Sequence, residues 1–125
     1  MIFDTDVLIW ALRGNTRAAN AIDRAEDRFL SVVSYMELAQ GARDKKDLRL
    51  IRNFLSDLDF LVLPLSEDIG HRASIYVEEY ALKSNIGLPD ALIAATAIEN
   101  DQTLCTANHK DYGMIAECEI QRFRP

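Results

Sequence analysis

Gly87-Leu88-Pro89-Asp90-Ala91-Leu92-Ile93-Ala94-Ala95-Thr96-Ala97-Ile98 is the stretch whose reading decides the fold. Pro89 suits the opening of a helix, where a missing N–H costs nothing. Residues 90–98 are then apolar on nearly every face, which predicts a helix buried on several sides. Thr103-Leu104-Cys105 follows as a short apolar strand. Strands this short and continuously apolar are expected where both faces of a sheet are covered.

The same alternation runs outward from that stretch. Ile2-Phe3 reads as a first strand, followed by a helix over residues 7–12 that stops at Gly14. An Ala-rich helix is predicted over 16–25, a β-branched strand over 29–33 and a helix from Ser34 to Ala42. Leu48, Ile51, Phe54, Leu55 and Leu58 stand at helical spacing over 47–58. Phe60 to Leu63 reads as a third strand stopped by Pro64, and a long helix covers 66–84. Glu119-Ile120-Gln121 reads as a short fifth strand. The pattern predicts an α/β three-layer sandwich with a central, mostly parallel sheet of four to five short strands flanked by helices. With 125 residues and no repeat, linker or low-complexity segment, residues 1–125 are expected to form a single domain.

Composition narrows the function. Hydrophobic residues make up 49% and charged residues 27% of the chain, an ordinary globular balance. No apolar run reaches the roughly 20 residues needed to span a bilayer, and the start lacks a signal-peptide pattern. The reading is therefore a cytoplasmic protein with no membrane role. Cys105 and Cys118 stand without paired histidines, which argues against zinc. His71 and His109 have no metalloprotease spacing. The net charge of −6 argues against a broad basic face for nucleic acid. One basic stretch, Arg43, Lys45, Lys46, Arg49 and Arg52, reads either as a solvated helix face or as a backbone-contact patch.

In such sheets the site lies beyond the carboxyl ends of the strands. Asp4, Thr5 and Asp6 follow strand one; Ser34 and, a turn on, Glu37 follow strand two; Thr106, Asn108 and Asp111 follow strand four. Asp90 opens the buried helix. Each has a structural reading. One of Asp4 and Asp6 is expected to cap a helix, and Asp4, at the strand end, is the preferred site residue. Ser34-Tyr35-Met36-Glu37 fits a capping box, and for Glu37 alone capping outweighs catalysis. Asp90 in a first turn is favoured by the helix dipole, yet beside a buried helix it needs a partner such as a cation. Thr106 and Asn108 can form a turn or hold water. Asp111 can be a loop acid with no role. Acids at strand ends without Cys or His ligands suit a hard cation, Mg²⁺ or Mn²⁺.

These residues resemble the PIN-domain family. The matching blocks are Asp4-Thr5-Asp6-Val7-Leu8-Ile9, Ser34-Tyr35-Met36-Glu37-Leu38 with Gly41, the 87–97 block, and Leu104-Cys105-Thr106-Ala107-Asn108 with Asp111-Tyr112. They occur in order over nearly the whole chain, in the style of VapC-like toxins of toxin–antitoxin pairs. The resemblance implies a metal-dependent endoribonuclease. Asp4, Glu37 and Asp90 match the family's acidic positions and would hold Mg²⁺ or Mn²⁺, with Thr106 and Asn108 positioning water or phosphate. Many members carry a fourth acid where this chain has Asn108; a second metal would then be held more weakly unless Asp111 compensates. A homodimer is implied, and so is an antitoxin laying an apolar, basic segment over the early helices and the acids, with Trp10 in the groove or in the core.

Three other readings stand beside it. One is a PIN nuclease of RNA processing that is not a toxin. Another is a catalytically idle PIN domain that only binds. A phosphoacceptor receiver domain would need an Asp directly after strand three, where this chain has Leu63-Pro64. The RNA target is left open.

Overall fold

The apolar runs pair side by side in one direction. In the computed structural model, which describes residues 1–125, β1 (Ile2–Phe3), β2 (Phe29–Ser31), β3 (Leu61–Leu63), β4 (Leu104–Thr106) and β5 (Ile120–Arg122) form one sheet. Its order is β3-β2-β1-β4-β5 and every pairing is parallel. Seven helices surround it: α1 (Thr5–Leu12), α2 (Thr16–Arg24), α3 (Val32–Gln40), α4 (Lys45–Asp57), α5 (Glu67–Tyr80), α6 (Leu88–Glu99) and α7 (His109–Tyr112).

Successive strand residues point to opposite faces of the sheet, and the core divides accordingly. Ile2 and Leu104 pack in one apolar cluster with Ile69, Ala73 and Tyr76 of α5 and with Ala91, Ile93 and Ala94 of α6. Phe3 and Cys105 pack in a second cluster with Val7 and Leu8 of α1, Ile22 of α2 and Ile51 and Leu55 of α4. Helix α6 is enclosed as its composition predicts: Ala91, Ile93, Ala94, Ala95, Thr96 and Ala97 are all buried. The buried Thr96 hydroxyl donates to the Leu92 carbonyl at 2.7 Å, so it leaves no unmet polar group.

The chain lays β2 and β3 on one side of β1, then crosses to place β4 on the other. The carboxyl ends of β1 and β4 therefore flank the point where strand order reverses, where α/β sheets open a crevice. Asp4 and Thr106 stand at those two ends.

Element boundaries differ from expectation where a side chain takes over a backbone bond. The strand expected over 29–33 stops at Ser31, whose hydroxyl accepts from Val33 N at 3.0 Å and caps α3. The cap outweighs the β preference of Val32 and Val33. Helix α5 ends at Tyr80 rather than at 84, where the Tyr80 carbonyl accepts from both Lys83 N and Ser84 N in a closing turn. Periodicity does not announce the short helix α7.

Candidate functional site

Asp4 is the centre of the crevice. It is 6% exposed. As the N-cap of α1 it accepts from Thr5 N through Oδ1 at 2.9 Å. Its Oδ2 accepts from the Thr106 hydroxyl at 2.7 Å, across from β1 to β4. Burial, with the charges of Asp6 and Asp90 adding to it, pushes the carboxyl up to about 7 despite the Thr106 and Thr5 bonds. Capping and site membership thus coincide in one residue.

Asp6, which sequence reasoning sets aside, belongs to the same centre. Its Oδ2 accepts from Ala107 N at 3.1 Å, while its Oδ1 is buried with no hydrogen-bond partner. Burial raises its pKa, and the Asp90 charge adds to the rise. The signal is present in the Asp-Thr-Asp spacing, but the bond to Ala107 joins segments about a hundred residues apart.

Asp90 is half-buried at the start of α6. Its Oδ2 lies 3.4 Å from Gly87 N, a long first-turn bond, and its Oδ1 accepts from the Tyr112 hydroxyl at 3.1 Å. The same hydroxyl is 3.5 Å from Asp4 Oδ1. Tyr112 is fully buried, and burial together with the Asp4 and Asp90 charges holds its phenol far above the usual range. It is a second residue of the centre that the sequence pattern leaves unassigned.

The remaining candidates separate. The Thr106 hydroxyl also accepts from Asn108 N at 3.0 Å, so the turn after β4 is tied to the centre. Asn108 opens α7 without spending its side chain on a cap. Glu37 is exposed and stands at the rim, its Oε1 accepting from the Thr5 hydroxyl at 2.8 Å; that hydroxyl is also 2.8 Å from Ser34 Oγ. The expected capping box fails, because Ser31 and not Ser34 is the N-cap of α3. Asp111 is buried, and its Oδ1 accepts from Asn85 N at 3.3 Å and fastens the loop before α6. Trp10 is 37% exposed and belongs to neither core cluster.

Asp4, Asp6 and Asp90 act on one another's charge, and no base of the chain neutralises them. The chain's ion pairs are Arg43–Asp47, Arg72–Glu99 and Arg72–Glu117. An all-oxygen donor set with an unpartnered buried carboxylate oxygen is the chemistry a hard divalent cation meets. The side chains as they stand do not close into a cage of three or more acidic, histidine or cysteine ligands. Asp4 and Asp90 are held on either side of the Tyr112 hydroxyl instead.

Comparison with known proteins bears on this geometry. The family model described as "PIN domain" matches residues 1–113. The chain is 38% identical over 112 residues to "Ribonuclease VapC10" of Mycobacterium tuberculosis (strain ATCC 25618 / H37Rv), covering 86% of this chain and 82% of that protein. It is 31% identical over 128 residues to "Ribonuclease VapC" of Rickettsia bellii (strain RML369-C), covering 96% and 93%. Among solved structures, the "Toxin-antitoxin complex from Klebsiella pneumoniae" aligns with a TM-score of 0.81 at 30% identity, covering 96% of this chain and 94% of that one. VapBC2 from Rickettsia felis, bound to a DNA fragment from its promoter, aligns with a TM-score of 0.84 at 21% identity, covering 99% and 100%, and shares the fold.

Proposed function

Because the chain belongs to the PIN-domain family, among the VapC ribonuclease toxins of toxin–antitoxin pairs, we propose that it hydrolyses RNA phosphodiesters at a Mg²⁺ or Mn²⁺ ion held by Asp4 and Asp90. The observation that carries this reading is the crowding of Asp4, Asp6 and Asp90 at the β1/β4 crevice with no basic side chain among them. Gathering buried carboxylates without a counter-charge is costly, and a divalent cation offsets that cost.

Such an ion supplies Lewis acidity toward a phosphate oxygen and a more acidic attacking water. The chain's own residues do the rest. Thr106 fixes Asp4 through Oδ2, and Tyr112 fixes Asp90 through Oδ1. The buried Oδ1 of Asp6, which has no hydrogen-bond partner, is an additional acceptor for the ion. Glu37, held by Thr5 at the rim, would orient the water or join the ligand set. The Asn108 amide is available to a phosphate or a water.

The partner belongs to the same proposal. A cavity of about 770 Å³ lies between α1, α3 and α4, lined by Ile9, Leu12, Leu38, Leu50, Ile51 and Phe54, with Glu37, Asp47 and Asp57 around it beside Arg13 and Arg43, the latter paired with Asp47. Apolar walls, with Glu37 and Asp57 free of ion pairs at the edge, suit the apolar, basic segment of an antitoxin. A homodimer completes the reading.

Incubating purified protein with Mn²⁺ and structured RNA tests the activity. Cleavage that is lost in Asp4→Asn and Asp90→Asn, both still folded, supports it. An idle binding module, favoured by Asn108 in place of a further acid, would instead leave wild type and variants at one background level.

A further inference from the structure

In a chain of net charge −6, one cavity is lined by arginines alone among charged residues. It measures about 430 Å³ and is walled by Arg17 and Arg24 of α2 and by Arg122 and Arg124 at the end of β5, with Cys105 and Phe123 in its floor. None of the four arginines takes part in an ion pair; Arg43 and Arg72 account for every pair in the chain. Arg24 gives one N–H to the Asn20 carbonyl at 3.2 Å and keeps its other donors. Four exposed guanidinium groups around one concavity concentrate positive charge there, and their planar forks match phosphate oxygens.

The position of the cavity identifies the anion. Arg122 is the register partner of Thr106, and Phe123 N donates to the Thr106 carbonyl at 2.8 Å. The hydroxyl of that same threonine donates to Asp4. Cys105, in the floor, directly precedes Thr106 in β4. β4 alone therefore separates the strand that carries Arg122 from the strand that leads into Asp4. An acidic centre repels a polyanionic substrate, so such a substrate needs a positive anchor close by. In the other basic stretch, before and along α4, Arg43 is tied to Asp47 and Arg52 donates to the Tyr35 hydroxyl.

We propose that this arginine cavity holds a backbone phosphate of single-stranded RNA next to the phosphate cut at the aspartate centre. The proposal rests on the nuclease reading for its choice of RNA. The arginines meet backbone rather than bases, so they position the strand without selecting sequence.

The test is RNA binding measured apart from cleavage. Asp90→Asn protein, which leaves RNA intact under this reading, is titrated in Mg²⁺ with a labelled single-stranded RNA oligomer over a series of salt concentrations. In that background, Arg17→Gln/Arg122→Gln and Arg24→Gln/Arg124→Gln are compared with a Lys45→Gln/Lys46→Gln control, with thermal melts to confirm folding. The arginine variants are expected to bind more weakly, with the slope of log K against log salt shallower by roughly 0.7 for each phosphate no longer neutralised. The lysine control is expected to match its parent. Unchanged affinity and slope in folded arginine variants overturns the proposal, as does absence of binding in the parent. Arginine-dependent binding of duplex DNA as tight as that of the RNA also overturns it. Wild type that cleaves RNA while its arginine variants bind normally removes the subsite and leaves the nuclease reading standing. Arginine-dependent RNA binding without any cleavage by wild type does the reverse.

Discussion

Tyr112 donates a 3.1 Å hydrogen bond to Asp90 Oδ1, so a fully buried phenol from α7 fixes a carboxylate at the opening of α6. Its oxygen is also 3.5 Å from Asp4 Oδ1. Removing it should loosen the two acids together. Tyr112→Phe keeps the ring and its packing, so the fold should survive with a loss of about 1 kcal/mol for one hydrogen bond. Cleavage or Mn²⁺ affinity should drop by roughly 10- to 100-fold, as for other residues that orient metal ligands. Melts and a Mn²⁺ titration of cleavage rate check both.

Thr106 should be harder to replace. Its hydroxyl donates to Asp4 Oδ2 in the interior and accepts from Asn108 N in a partly buried bond. Thr106→Val keeps the shape and strands both partners, which should cost about 1–3 kcal/mol per unmet group. Thr106→Ser should restore most stability and activity. Denaturant unfolding of the two variants separates the hydroxyl from the methyl group; equal losses would show that packing, not the hydroxyl, matters.

The stability of the metal-free protein should fall as pH rises. Folded Asp4 titrates near about 7 against an ordinary value of 3.8. Between those values the folded state keeps a proton that the unfolded state has released, so stability is greatest at the low end and declines through the window. Asp6 is shifted the same way. The Asp4 shift alone is on the order of a few kcal/mol, at about 1.4 kcal/mol for each unit. Metal-free protein should therefore melt higher at about pH 5 than at about pH 8, and Mn²⁺ should raise the melting temperature more at the higher pH.

The two polar residues after β4 should behave differently. Asn108→Asp adds a charge to a side chain that caps nothing. It should lower the Mn²⁺ concentration needed for half-maximal cleavage several-fold, on the order of 1 kcal/mol for a charge added near a cation. Asp111→Asn keeps the acceptor for Asn85 N and should leave that concentration unchanged. A metal titration of both variants decides whether Asp111 has any part in the centre.

Much of this is legible in the chain alone. Asp4 and Thr106 follow short apolar runs, and in a parallel sheet those runs put their ends at one edge. The all-round apolar character of residues 91–97 marks α6 as an enclosed helix, and with it the place of Asp90. What escapes is long-range pairing. Asp6 looks like a spare cap until Ala107 N comes to its Oδ2. Tyr112 looks like core, because hydrophobic spacing says nothing about where a phenol oxygen ends. Glu37 looks like half of a capping box, since Ser34 stands three residues before it, yet the helix opens at Val32 with Ser31 as its cap and Ser34 lies inside it. The arginine cavity joins α2 to β5, segments whose proximity no local pattern announces.

The central claim is that Asp4 and Asp90 hold a divalent ion between them, and calorimetric titration of Mn²⁺ into metal-free protein tests it most directly. Wild type should show a binding event that Asp4→Asn and Asp90→Asn each abolish while remaining folded. Equal heats in all three proteins, or none in wild type, would contradict it.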